Sequence, residues 1–167
     1  MLKHATWVGL CLVVLLACPD RQPAVTLQHP LGPLQVALTD AQANAVVQLD
    51  REQSFSMQTS RFGRGVGLTP VAWGGALAAA DTWGRQADGL TERWQRHGTA
   101  IEQSWSVAEA PAGTGPVTLE LTLEGAVALQ TKDAVVLATP RATAIYSGLR
   151  VIDADGRELQ AHLSGAG

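Results

Sequence analysis

From Val117 to Glu124 the chain alternates without a break. Val117, Leu119, Leu121 and Leu123 are apolar; Thr118, Glu120, Thr122 and Glu124 between them are polar. A period of two puts each set on its own side of an extended chain, which predicts a strand with one buried and one wet face. Ile101, Gln103, Trp105 and Val107 alternate with Glu102, Ser104 and Ser106 in the same way. Val135–Ala138 and Ala142–Ser147 read as strands around a Thr139-Pro140 turn. Near the end, Leu149–Asp153 and Glu158–Leu163 flank Ala154-Asp155-Gly156-Arg157. The Asp-Gly pair predicts a two-residue type I′ hairpin, because both turn positions need φ > 0. That register sets Ile152 opposite Leu159 and Asp153 opposite Glu158. Residues 74–89 contain helix-forming alanines but neither a cap nor an amphipathic stripe, so strand is expected there over a short helix.

The alternation fails at the N-terminus. Lys3 and His4 precede Ala5–Ala17, where Thr6 is the one polar side chain. Thirteen residues at ~1.5 Å per residue span about 20 Å as a helix, short of a ~30 Å hydrocarbon core. The segment therefore reads as a signal peptide over residues 1–17. Its end, Leu15-Leu16-Ala17-Cys18, resembles the lipobox of bacterial lipoproteins, with Leu at −3, a small residue at −1 and Cys at +1. The expected product begins at Cys18, carries acyl chains on it and is held at a membrane by them, since each buried CH₂ contributes ~0.8 kcal/mol. The alternative is plain secretion. Residues 18–33 contain Pro19, Pro23, Pro30 and Pro33. They are expected as a tether with at most a short edge strand at Val25–Leu27. Residues 34–167 form the β-rich domain.

Composition narrows the classes. Charged residues are 16% of the chain, with 17 Gly and 8 Pro, which suits short strands and many turns. Lys3 is the one charge before Cys18, so a chain starting at Cys18 carries 11 basic against 15 acidic side chains. It has no basic stripe for nucleic acid. Cys11 lies within the leader, so the product keeps one cysteine and no internal disulfide. These features predict an all-β fold, an antiparallel β-sandwich or curved two-layer sheet of roughly eight to ten strands.

Four segments then follow in a suggestive order: Glu92-Arg93-Trp94, Ile101-Glu102-Gln103, Leu119–Gly125 and Tyr146–Leu159. The succession resembles the N-terminal module of long bacterial exported proteins that continue into FG-GAP or related β-propeller repeats. There an acidic-aromatic segment leads to a GLEQGF-like strand, an LxLxLxG strand and a YxGLxxxDxxGxxLxA hairpin. The resemblance covers about half of the chain. It implies a β-rich surface module without catalysis, either standing alone or capping a longer repeat protein.

Candidate chemistry is sparse. His29, His97 and His162 are far apart, with no HxH or HExxH spacing, so no metal is expected. Asp153-Ala154-Asp155-Gly156 lacks the further acidic positions of a calcium loop and reads as a turn. Gly63-Arg64-Gly65-Val66-Gly67 is not followed by Gly-Lys-Ser/Thr and reads as a hairpin loop, with phosphate binding disfavoured. No GxSxG occurs. Glu102 with Glu92 or Glu120 is a formal carboxylate pair without a cleft to place it in. Trp73, Trp83, Trp94 and Trp105 are more informative. Trp105 alternates with Ile101 and Val107 and is expected inside. Trp94, flanked by Arg93, Gln95 and Arg96, is the surface candidate for stacking on a ligand. The expected function is a non-enzymatic, lipid-anchored module of the bacterial envelope with a structural, adhesive or assembly role. It needs no cofactor and has an envelope protein or glycan as partner. The alternative is a carbohydrate-binding module using exposed tryptophans.

Overall fold

The computed structural model describes residues 8–14, 22–28, 35–39, 44–74, 76–79 and 82–165. Among them are sixteen strands and no helix. They are β1 (Val8–Val14), β2 (Gln22–Gln28), β3 (Gln35–Thr39), β4 (Asn44–Gln48), β5 (Ser54–Arg64), β6 (Gly67–Pro70), β7 (Ala76–Ala79) and β8 (Thr82–Ala87). The second half continues with β9 (Leu90–His97), β10 (Ala100–Val107), β11 (Val117–Glu124), β12 (Val127–Gln130), β13 (Ala134–Ala138), β14 (Thr143–Ile152), β15 (Glu158–Leu159) and β16 (Ala161–Gly165). The count exceeds the expected eight to ten because tight turns cut long extended stretches into short hairpins.

Two antiparallel sheets form. The first has the order β16-β1-β11-β5-β4-β3, with β6 on β5. The second has the order β12-β13-β14-β2-β10-β9-β8-β7, with β15 on β14, and one of the two sheets is curled into a half-barrel. Their inner faces enclose one core, to which Val47, Phe55, Met57, Leu119, Leu121 and Trp105 belong. At 117–124 the apolar set is inside as expected, with Val117, Leu119, Leu121 and Leu123 buried, but Thr118, expected on the wet face, is buried too. So are Ile101, Gln103, Trp105 and Val107.

Several details differ from expectation. β2 is a central strand, paired with β10 on one side and β14 on the other, and not part of a tether. Pro23 is tolerated because pairing with β10 begins only at Ala24, and β14 is irregular between Ser147 and Arg150 beside it. The final hairpin is shifted by one residue, pairing Val151 with Leu159 and Ile152 with Glu158. Asp153 causes the shift. Its Oδ1 accepts the amides of Asp155 (3.0 Å) and Arg157 (2.8 Å), which closes a longer loop with Gly156 at φ 77°. Glu158 thereby avoids Asp153 and meets Arg150 at 3.1 Å. Val8–Val14, the middle of the expected leader, is strand β1 between β11 and β16. Cys18 lies outside the described residues.

Candidate functional site: a sealed polar cluster between the sheets

One irregularity in β5 organises a dense group of polar side chains among the described residues. The β5–β11 register shifts between Glu120 and Leu121, so Ser60 becomes an extra residue opposite them. Such a bulge bends its strand and re-aims the side chains beside it. Ser60 Oγ donates to the Glu120 carbonyl (3.2 Å), and the Ser60 carbonyl accepts the Val71 amide (2.9 Å). The segment after β6 is thereby drawn across β5. Its Trp73 donates Nε1–H to the Thr59 carbonyl at 2.8 Å and lays its ring against Arg85, with Cζ 4.4 Å from the ring centroid.

Glu92 is the centre. Leu90, Glu92 and Trp94 share the inward side of β9, so a carboxylate stands among core residues, fully buried. Its Oε1 accepts from Thr59 Oγ1 (2.6 Å), Gln103 Nε2 (2.7 Å) and Trp105 Nε1 (3.1 Å). Its Oε2 forms an ion pair and hydrogen bond with Arg85 Nε. Trp105 Nε1 also points at Thr59 Oγ1 (2.9 Å). Tyr146 on β14 donates its hydroxyl to Gln103 Oε1 at 2.7 Å. Burial, and secondarily the Glu92 charge, pushes the Tyr146 hydroxyl well above the usual phenol range. Arg85, Glu92, Gln103, Trp105 and Tyr146 come from the second sheet and Thr59 from the first, so the cluster ties one sheet to the other. Among the described residues, Arg85 Nη1 and Nη2 and Trp94 Nε1 are buried without a hydrogen-bond partner.

The arrangement can fix geometry but cannot meet a solute. Glu92, Thr59 and Gln103 are 0% exposed and Arg85 is 2%. A substrate would have to part the sheets to reach the carboxylate. Burying a charge pair in this way is sustained by the hydrogen bonds around it.

The residues singled out from sequence do not converge. Trp94 is a correction: it is 0% exposed, because the alternation along β9 turns it inward while Arg93 and Gln95 face solvent. Its ring is not offered to a sugar. Trp105 is inside, as expected; Trp73 and Trp83 are half-buried against the core. Glu92, Glu102 and Glu120 do not form a pair in a cleft. Glu102 lies 4.0 Å from His97 on the outer side of the second sheet, and Glu120 lies 3.6 Å from Arg61 on the first. His162 sits in an open groove of about 290 Å³ with Lys132, Asp133 and Gln130. His29 falls outside the described residues. Among the described residues no three metal-ligating side chains come together. Gly65 and Val66 form the turn between β5 and β6, held by the Gly65 amide on the Pro116 carbonyl at 3.0 Å. Sequence reasoning missed Thr59, Arg85 and Gln103 as partners of Glu92, and Tyr146 as the partner of Gln103. The available signal was parity: Glu92 and Gln103 occupy inward positions of alternating strands.

No helix among the described residues is long and apolar enough to cross a membrane. The chain matches no protein-family model, no curated protein and no solved structure.

Proposed function

We propose that this chain is a non-enzymatic, lipid-anchored module of the bacterial envelope, acting through its surfaces in structure, adhesion or assembly. The observation that carries the non-enzymatic part is the enclosure of Glu92. Among the described residues, the dense cluster of acid, base and hydroxyl side chains is consumed in holding two sheets together. The anchor rests on Lys3, the apolar run to Ala17 and Cys18 behind Leu15-Leu16-Ala17. A surface role is further supported by an apolar strip on the outer side of the second sheet. Val127 and Leu129 on the edge strand β12 are about half exposed, and Ile145 on β14 is 36% exposed. Leu129 pairs with Val136, and Val136 with Ile145, so three strands contribute to one strip.

The test is the mass and location of the native protein. A species at the mass of residues 18–167 plus acyl chains, pelleting with membranes, is expected. Cys18→Ser is expected to release it to the soluble fraction. Unchanged partitioning of Cys18→Ser removes the anchor, and a much larger species makes this chain the N-terminal unit of a repeat protein.

A further inference from the structure

Val8–Val14 is claimed by two roles. It is the apolar centre of the leader, and it is strand β1 in the interior of the first sheet. There β1 pairs with β11 over seven residues, Val8 opposite Leu123 through Val14 opposite Val117. It pairs with β16 over five, Leu10 opposite Gly165 through Val14 opposite Ala161. No other strand among the described residues pairs with β16 in the first sheet. Cutting before Cys18 therefore opens a gap one strand wide. On one side β11 presents the amides and carbonyls of every second residue along its length, the others being held by β5; on the other β16 has lost its ladder. An unpaired edge of this length is a template for another strand. Beneath it lie Val117, Leu119, Leu121 and Leu123, at most 1% exposed with the gap filled. The product's own described strands do not supply the replacement, because β2 to β15 are engaged elsewhere in the two sheets.

We propose that the gap between β11 and β16 is a strand-acceptor site, which in the cleaved chain takes an extended, uncharged, apolar segment of about seven residues from a partner polypeptide. The proposal rests on the leader reading above. The seated β1 defines the ligand. It runs antiparallel to both neighbours, and its positions 8, 10, 12 and 14 stand opposite the buried side chains of β11. A charge at positions equivalent to 10 and 12 would face Leu121 and Leu119 and be desolvated without a partner. Main-chain hydrogen bonds would supply affinity and alternate side chains selectivity, the usual division in strand addition.

The experiment uses the native protein purified from its own cells in detergent, with its N-terminus read by intact mass. The probe is a synthetic peptide of residues 8–14 with flanking lysines and Cys11→Ala; the control peptide adds Leu10→Asp and Leu12→Asp. Amide hydrogen exchange is read at 117–124 and 161–165, with 90–107 as the check on the second sheet. At ~100 times the dissociation constant, exchange through the open gap slows about 100-fold. The expected result is an N-terminus at Cys18, protection at β11 and β16 that appears with the probe, and none with the control. Protection that copurifies with the native protein and is lost when an apolar segment of another polypeptide is stripped from it gives the same support. An N-terminus at Met1 means that the leader reading has failed and β1 fills the gap in cis. An N-terminus at Cys18 with no probe-dependent protection overturns the acceptor site alone, whether the second sheet is folded or not. So does a dimer that protects β11 by pairing two copies.

Discussion

The first sheet meets the core with Val47, Phe55, Met57, Leu119, Leu121 and their apolar neighbours, and offers the cluster a single hydroxyl, from Thr59. The second sheet meets it with Arg85, Glu92, Gln103 and Tyr146 set among Trp94 and Trp105. Both faces are dry, but they constrain the sandwich differently. Aliphatic side chains pack acceptably in many arrangements of similar volume. The Glu92 carboxylate is satisfied in one, with Thr59, Gln103, Trp105 and Arg85 all in reach. Sliding one sheet over the other by a residue pair would keep apolar against apolar and still break the Thr59–Glu92 bond. The apolar face therefore contributes most of the burial, and the polar face selects the alignment.

The sharpest way to break this contrast is Arg85→Met. It leaves the Glu92 carboxylate buried without its counter-charge and is expected to cost about 3–5 kcal/mol in urea unfolding. Adding Glu92→Gln is expected to return part of that stability, because the amide removes the unpaired charge and keeps an acceptor oxygen for Thr59, Gln103 and Trp105. A single-variant loss below about 1 kcal/mol would show that the ion pair does not hold the cluster. Next, Met57→Ala probes the apolar face away from the β11–β16 gap and is expected to cost about 2–5 kcal/mol with an unchanged denaturant slope. A much smaller loss would mean that this part of the first sheet is loosely packed.

The smallest effect belongs to Tyr146→Phe, which leaves Gln103 Oε1 buried without its donor and is expected to cost about 1–3 kcal/mol. The pH dependence follows from the direction of its shift. The hydroxyl titrates higher in the folded chain than in the unfolded one, first because it is buried and second because Glu92 is near. Its contribution is therefore complete below the unfolded value of about 10 and is lost as pH rises from there through the folded value. The wild type is expected to lose up to ~1.4 kcal/mol per pH unit above about pH 10, and Tyr146→Phe to lose less. Tyr146 is the only tyrosine in the chain, so phenolate absorbance reports it alone. Phenolate forming near pH 10 in the folded protein would refute the sealed cluster.

Much of the architecture was legible from periodicity. The inward sets of β10 and β11 were readable because their polar and apolar positions alternate over eight residues each. The strand at 76–79 was harder, because Ala76-Leu77-Ala78-Ala79 has helix formers, and pairing with β8 decides its state. The last hairpin went astray by one residue because Asp-Gly describes a local preference, while the Asp153 side chain closes a longer loop. Trp94 was misplaced for a related reason. Its charged neighbours in sequence suggested a wet site, whereas neighbours along a strand point to opposite faces.

The order of apolar and polar residues thus determined by itself that the chain is all-β, that 101–107 and 117–123 face inward at alternate positions, and that no metal or nucleophile motif is written locally. Only the tertiary structure decided that Thr59 meets Glu92 and that Tyr146 meets Gln103, since 33 residues separate the first pair and 43 the second. A hydrogen bond between sheets depends on a bulge at Ser60, on register and on how the sheets stack, and none of these is carried by a local pattern. The same holds for β1. An apolar run of seven residues suits a leader and a buried strand equally well, and only pairing with β11 on one side and β16 on the other gives it a place in the sheet.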